Sequence, residues 1–103
     1  MENSTDLVYL TVIAGRKQRD SLLTSIPEAG GRIVHVFYGK GSVKAGFLRD
    51  SFGFVPEENK IVITCLLQKK KTKDVFLILN EKYHFDKSNT GIAFTTPINQ
   101  ISV

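Results

Sequence analysis

Apolar residues fall in blocks separated by polar, glycine-rich stretches. Leu7-Val8-Tyr9-Leu10-Thr11-Val12-Ile13-Ala14 is almost unbroken apolar and rich in strand formers, and Gly15 ends it. Such a run predicts a strand buried on both faces and central in its sheet. Arg16 to Ala29 predicts a helix, with Leu22, Leu23 and Ile26 on a narrow apolar stripe and Arg16, Lys17 and Arg19 toward water. Pro27 disfavours the helical state at Ile26 and predicts a break or a kinked last turn there, and Gly30-Gly31 is a stop. Arg32 to Tyr38 predicts the second strand and Lys60 to Leu67 the third. Thr72 suits the N-cap of a second helix, with Asp74 near its positive end and Val75, Phe76, Leu79 and Tyr83 on its inner face. A polar loop from Asp86 leads into a fourth strand, Gly91 to Thr96, closed by Pro97. The order β-α-β-β-α-β predicts an α+β, ferredoxin-like sandwich: a four-stranded antiparallel sheet with two helices on one face.

The chain has 103 residues, so one domain spanning 1–103 is expected. Hydrophobic residues make up 42% and charged residues 23%, which argues for a globular chain rather than a disordered one. The net charge of +4 is compatible with a phosphate-bearing partner, although most such charge is a solvated surface. With a single cysteine, Cys65, neither an internal disulfide framework nor a Cys-rich zinc site is possible within the chain. No apolar run approaches the roughly 20 residues of a membrane span. The polar start, Met1 to Asp6, resembles neither a secretory signal nor a transit peptide, so a cytoplasmic location is expected.

Residues 39–59 break the pattern, being rich in Gly, Lys and aromatic residues between two strands. Structureless loops of this length in a compact domain are uncommon and usually functional. Gly39-Lys40-Gly41 stands at its start: glycines let a backbone approach a phosphate, and Lys40 adds charge. Taken alone, the same glycines are ordinary turn punctuation. Asn89-Thr90-Gly91, before the fourth strand, equally suits a plain turn. Phe47, Arg49, Phe52 and Phe54 suit either a partner-binding surface or packing between subunits.

These elements together resemble the P-II nitrogen-regulatory signalling proteins across residues 7–98. Gly39-Lys40-Gly41 is similar to the family's Gly-Phe-Gly at the base of its long T-loop. Lys60-Ile61-Val62-Ile63-Thr64 is similar to its Lys-Ile-Glu-Ile-Val strand, and Gly91-Ile92-Ala93-Phe94-Thr95-Thr96-Pro97-Ile98 to its closing Gly-Lys-Ile-Phe-Val-x-Pro-Val. The resemblance implies a homotrimeric, non-enzymatic signal-transduction protein of the nitrogen-regulation type. It would bind an adenine nucleotide or related anion between subunits and act on a membrane transporter or enzyme through loop 41–59. Carried over by position, Gly39, Lys40, Gly41, Thr64, Asn89, Thr90 and Gly91 would line the effector site, where Lys87 or Lys40 would substitute for family charges missing here. Two departures remove positive charge from it: Ile92 stands where the family has lysine, and Ile101-Ser102-Val103 does not supply its Arg-x-Arg. A charge-assisted hydrogen bond to a phosphate is worth roughly 1.5–3 kcal/mol. The loop also carries no tyrosine between Gly41 and Asn59, which excludes the family's tyrosyl uridylylation there.

Other families share this order. An RNA-recognition motif would use Val8-Tyr9-Leu10 and Phe52-Gly53-Phe54-Val55 as its stacking strands, but Asp50-Ser51 and Pro56-Glu57 break the second signature. A nucleic-acid partner is therefore not expected. CutA-like divalent-metal-associated trimers would draw on His35, His84 or Cys65, whose convergence the sequence does not establish, so no metal ligand is assigned. An acylphosphatase needs an arginine-bearing loop after the first strand, of which Gly15-Arg16 is the sole trace. No Ser/His/Asp or paired-carboxylate pattern suggests catalysis. Lys69-Lys70-Lys71 reads as a solvated turn, and Cys65 as a small buried hydrophobe.

Overall fold

The computed structural model describes residues 6–40, 59–87 and 90–99. Four strands form one antiparallel sheet in the order β2-β3-β1-β4: β1 is Leu7–Gly15, β2 Arg32–Lys40, β3 Asn59–Gln68 and β4 Gly91–Pro97. Helices α1 (Arg19–Glu28) and α2 (Thr72–Tyr83) cover one face. The ferredoxin-like arrangement expected from the apolar blocks is the one observed.

Alternation along the strands divides their residues between two environments. Val8, Leu10, Val12 and Ala14 of β1, with Ile61, Ile63, Cys65 and Leu67 of β3, point toward the helices and are fully or nearly fully buried. Leu22 and Ile26 of α1 and Val75, Leu79 and Tyr83 of α2 complete this core. The expectation that β1 is buried on both faces needs correction within one chain. Its intervening positions Leu7, Thr11 and Ile13 are half-buried, and Tyr9 is 40% exposed. No element covers that second face among the described residues.

Both helices depart from their expected starts. Arg16–Gln18 form a 3-10 turn, and α1 proper begins at Arg19. Pro27 does not break α1: Ile26 stays helical and only 2% exposed, because its burial outweighs the local penalty. The end is closed by the Gly31 N–H donating to Ile26 O and the Gly30 N–H to Pro27 O. This pair of bonds requires a left-handed residue, supplied by Gly30 at φ 117°. Thr72 is not the N-cap of α2. A 3-10 turn at Lys69–Lys71 precedes it, Thr72 is the first helical residue, and its buried hydroxyl has no partner among the described residues.

The two helices are joined by a polar cluster at the end of α2. The Tyr83 hydroxyl lies 2.6 Å from Ser21 Oγ and 2.8 Å from Ser25 Oγ, while Lys82 donates to Ser25 Oγ at 3.1 Å. Ser25 is thereby satisfied although buried. At the start of β2 the pairing with β3 slips between Arg32 and His35. Ile33 sits in this irregularity at φ 52°, a costly conformation for a β-branched residue, and is 67% exposed.

Candidate functional site

Strand register places several of the expected site residues at one end of the sheet. Gly39 pairs with Lys60 and Lys40 with Asn59, so residues 41–58 leave and re-enter through adjacent, hydrogen-bonded strand ends. At the same end, Gly15 pairs with Lys60 and Ala14 with Gly91. The C-terminus of α2 and the turn into β4 close over it. His84, at φ 60°, reverses the chain, with its N–H donating to Asn80 O and the Phe85 N–H to Leu79 O. Thr90 Oγ1 then donates to His84 O at 2.6 Å and Lys87 O at 2.8 Å, tying the turn to itself.

Two recesses flank this turn. The first, about 690 Å³, lies between the β1–α1 junction, the start of β3 and the turn; Arg16, Lys17, Asn59, Lys60, His84 and Thr90 line it. Among the described residues, its lining holds the cations Arg16, Lys17 and Lys60 and no carboxylate. The second, about 570 Å³, runs between α2 and the β4 edge and is mainly apolar, with Phe76, Phe85, Ile92 and Phe94 in its walls and Lys87 at its rim. Gly91 belongs to this second recess, where the Phe85 ring lies against it. A Cβ at position 91 would clash with Phe85 Cζ.

The structure thus sorts the expected ligand residues. Gly39, Lys40, Thr90 and Gly91 share one end of the sheet, while Thr90 and Lys87 line different recesses. The Thr90 hydroxyl spends its proton within its own turn. Thr64 lies mid-strand on the helix-free face, paired with Thr11 and His35, well away from that end. It is only 7% exposed, and its hydroxyl has no partner among the described residues. Gly41, Asn89, Phe47, Arg49, Phe52 and Phe54 lie outside the described residues. Sequence reasoning missed the contribution of Arg16 and Lys17, which the helical pattern directs to solvent. The signal available was their place immediately after Gly15, at the end of a central strand.

Charges beside the recess are partly committed. The Arg19 guanidinium donates to the Tyr38 hydroxyl through Nε and pairs with Asp20 at 2.6 Å. Those two contacts, the Tyr38 bond first, raise its pKa further. Arg16 lies over the Tyr38 ring at 5.2 Å from its centroid. His35, His84 and Cys65 do not converge: His35 is mid-sheet on the helix-free face, His84 ends α2, and Cys65 faces the helices. Among the described residues no group of three potential metal ligands is present, and no helix is long and apolar enough to cross a membrane. Burial pushes the Cys65 thiol up to about 11, which keeps it protonated and a poor nucleophile.

The helix-free face carries one fully apolar row beside a more polar one. Phe37, Val62, Ile13 and Ile92 form one row across β2, β3, β1 and β4; His35, Thr64, Thr11 and Phe94 form the next. Phe37 is 54% and Phe94 47% exposed. The positions of β3 on this face, Lys60, Val62, Thr64 and Leu66, include no aromatic. An RNA-recognition motif requires stacking rings on both central strands, so this face lacks half of that platform.

No protein-family model matches the chain, and a search of the curated proteins finds no match. Solved structures do match. The chain is similar to CPII of Thiomonas intermedia K12, bound to ADP, AMP and acetate, with TM-score 0.65 and 17% identity, covering 89% of this chain and 85% of that one. It is similar to Arabidopsis thaliana PII bound to citrate, with TM-score 0.64 and 16% identity, over 91% and 78% of the two chains. It is also similar to a DUF3240 family protein from Shewanella baltica OS155, with TM-score 0.59 and 14% identity, over 95% and 96%. At these identities the likeness is one of fold: the chain has the ferredoxin-like fold of PII-like proteins.

Proposed function

We propose that this chain is a divergent PII-like regulator without enzymatic activity. It assembles as a homotrimer, binds a small anionic effector, such as an adenine nucleotide, in clefts between subunits, and acts on a transporter or enzyme through residues 41–59. The observation that carries this reading is the coincidence of the basic recess with both ends of that segment. Lys40 and Asn59 are paired, and Asn59 lines the recess, so an anion held there touches the base of the loop. A ligand shifts the loop only by its differential affinity for two loop states, and this placement provides the contact.

Assembly through the helix-free face is supported by its composition. A contiguous apolar surface containing Ile13, Val62, Ile92, Phe37 and Phe94 marks an interaction site on a small domain. The buried Thr64 hydroxyl in its centre has no hydrogen-bond partner among the described residues, which suits a face that is covered. The likeness to a CPII structure holding ADP and AMP and a PII structure holding citrate agrees with an anionic effector.

The test is a thermal-shift screen against ATP, ADP, AMP, cyclic nucleotides, citrate, bicarbonate, divalent metals and a short single-stranded RNA, with mass by light scattering in the same buffer. Stabilisation by an anion on a mass of three chains supports the reading. A monomer stabilised only by RNA replaces it with an RNA-binding sheet, and a trimer stabilised only by a divalent metal with a CutA-like one.

A further inference from the structure

We infer that the phosphate groups of the effector are held by Arg16 and Lys17, in the recess that the β1–α1 turn forms with the start of β3. This deepens the reading above and rests on it. Both cations lie at the recess, and among the described residues neither makes an ion pair. Arg19, in the next turn of chain, differs: its charge is committed to Asp20 and Tyr38. Arg16 rests over the exposed ring of Tyr38, a contact worth only about 0.5–1 kcal/mol at such a site. A phosphate oxygen accepting from the guanidinium is a stronger partner, so the ligand can draw Arg16 off the ring. Lys17 is exposed and adds a mobile point charge.

The position explains how an anion could be held despite Ile92. That residue lines the apolar recess on the other side of the 84–90 turn, where it offers no donor. Arg16 and Lys17 instead stand on the β1–α1 side of the turn. A recess of about 690 Å³ lies within the range of small-molecule sites and accommodates a nucleoside diphosphate as well as pyrophosphate. The chemistry favours phosphate because a guanidinium fork and an ammonium from one chain segment line the recess, with no carboxylate in its lining among the described residues.

The test is calorimetric titration of the full chain with pyrophosphate and with ADP, on the wild type and on Arg16→Ala, Lys17→Ala and the double variant. Circular dichroism and light scattering on each variant confirm that fold and mass are kept. Each single variant should bind at least fivefold more weakly and the double at least thirtyfold. Lys73→Ala, on the exposed side of α2, should bind like the wild type. Arg16→Lys should recover part of the loss, and the salt dependence of the double variant should be shallower. Binding within twofold of wild type in the double variant would overturn the assignment while leaving the regulator reading intact. So would a trimeric wild type that citrate stabilises but neither phosphate probe does. A monomer that answers to no anion sinks both. If pyrophosphate binds only after Glu57→Gln and Glu58→Gln, the cations serve the chain's own carboxylates, and the subsite is refuted.

Discussion

Gly91→Ala tests whether this glycine is required by packing rather than by a ligand. Gly91 begins β4 opposite Ala14, and the Phe85 ring lies across it. An alanine Cβ would meet three ring carbons, the farthest of them at 2.7 Å. An aromatic ring cannot bend away from such a contact; it must rotate or translate as a body. Phe85 is restrained by its edge-on contact with Tyr83, at 6.4 Å between centroids, and by the left-handed His84 before it. Overpacking of this kind costs about 1–3 kcal/mol, and the upper half of that range is expected here. Phe85→Ala removes a half-buried ring and should cost about 2 kcal/mol, below the range for full burial.

The two effects should not add. With the ring gone, the methyl at position 91 has space, and a strand gains slightly from alanine over glycine. The double variant should therefore cost about 2 kcal/mol rather than about 4–5, a coupling in the upper part of the range for touching residues. Urea unfolding at one fixed protein concentration measures all four corners of the cycle, with the concentration held because the proposed assembly would contribute to stability. If Gly91→Ala costs the same in both backgrounds, within about 0.5 kcal/mol, the steric account is wrong.

Cys65 gives a pH signature. Its folded-state value of about 11 lies above the unfolded value of about 9, so the unfolded chain loses its proton first. Stability should fall as pH rises from about 9 to 11, by at most about 2–3 kcal/mol from this group. Cys65→Ala should show a shallower fall over the same window, and equal slopes would discard burial as the cause. Ile33→Asn relieves a left-handed β-branched residue and should stabilise the chain by roughly 0.5–1 kcal/mol in thermal unfolding; a loss would mean that the exposed side chain is covered in the assembly. Tyr83→Phe removes the hydroxyl shared by Ser21 and Ser25 and should cost about 1–2 kcal/mol, read by urea unfolding; a cost below about 0.5 kcal/mol would mean that water replaces it. Ile13→Lys puts a charge in the middle of the apolar row and should reduce the mass by light scattering from the proposed three chains to one with the circular dichroism retained; a trimeric mass in the variant would place the interface elsewhere.

The strands and their order along the chain could be read directly from it, but not which side of β1 the helices cover, since its near-continuous apolar run hides the alternation. Blocks such as Leu7–Ala14 and Lys60–Leu67 are long and apolar enough that no competing local preference displaces them. Helix ends were less legible, because tertiary burial decided them. Ile26 stays helical before Pro27 since its side chain is in the core, and Thr72 loses the cap position because Lys69–Lys71 begin turning first. Gly39-Lys40 and Thr90-Gly91 were visible as punctuation, and register placed them at one end of the sheet. Which of them share a recess was beyond the sequence, since that depends on which side of the 84–90 turn each side chain faces. The same holds for Arg16 and Lys17. In the sequence they are two charges on a helix start; only the closure of α2 and β3 against the β1–α1 turn gives them a common recess, because proximity between residues so far apart in the chain is a product of packing alone.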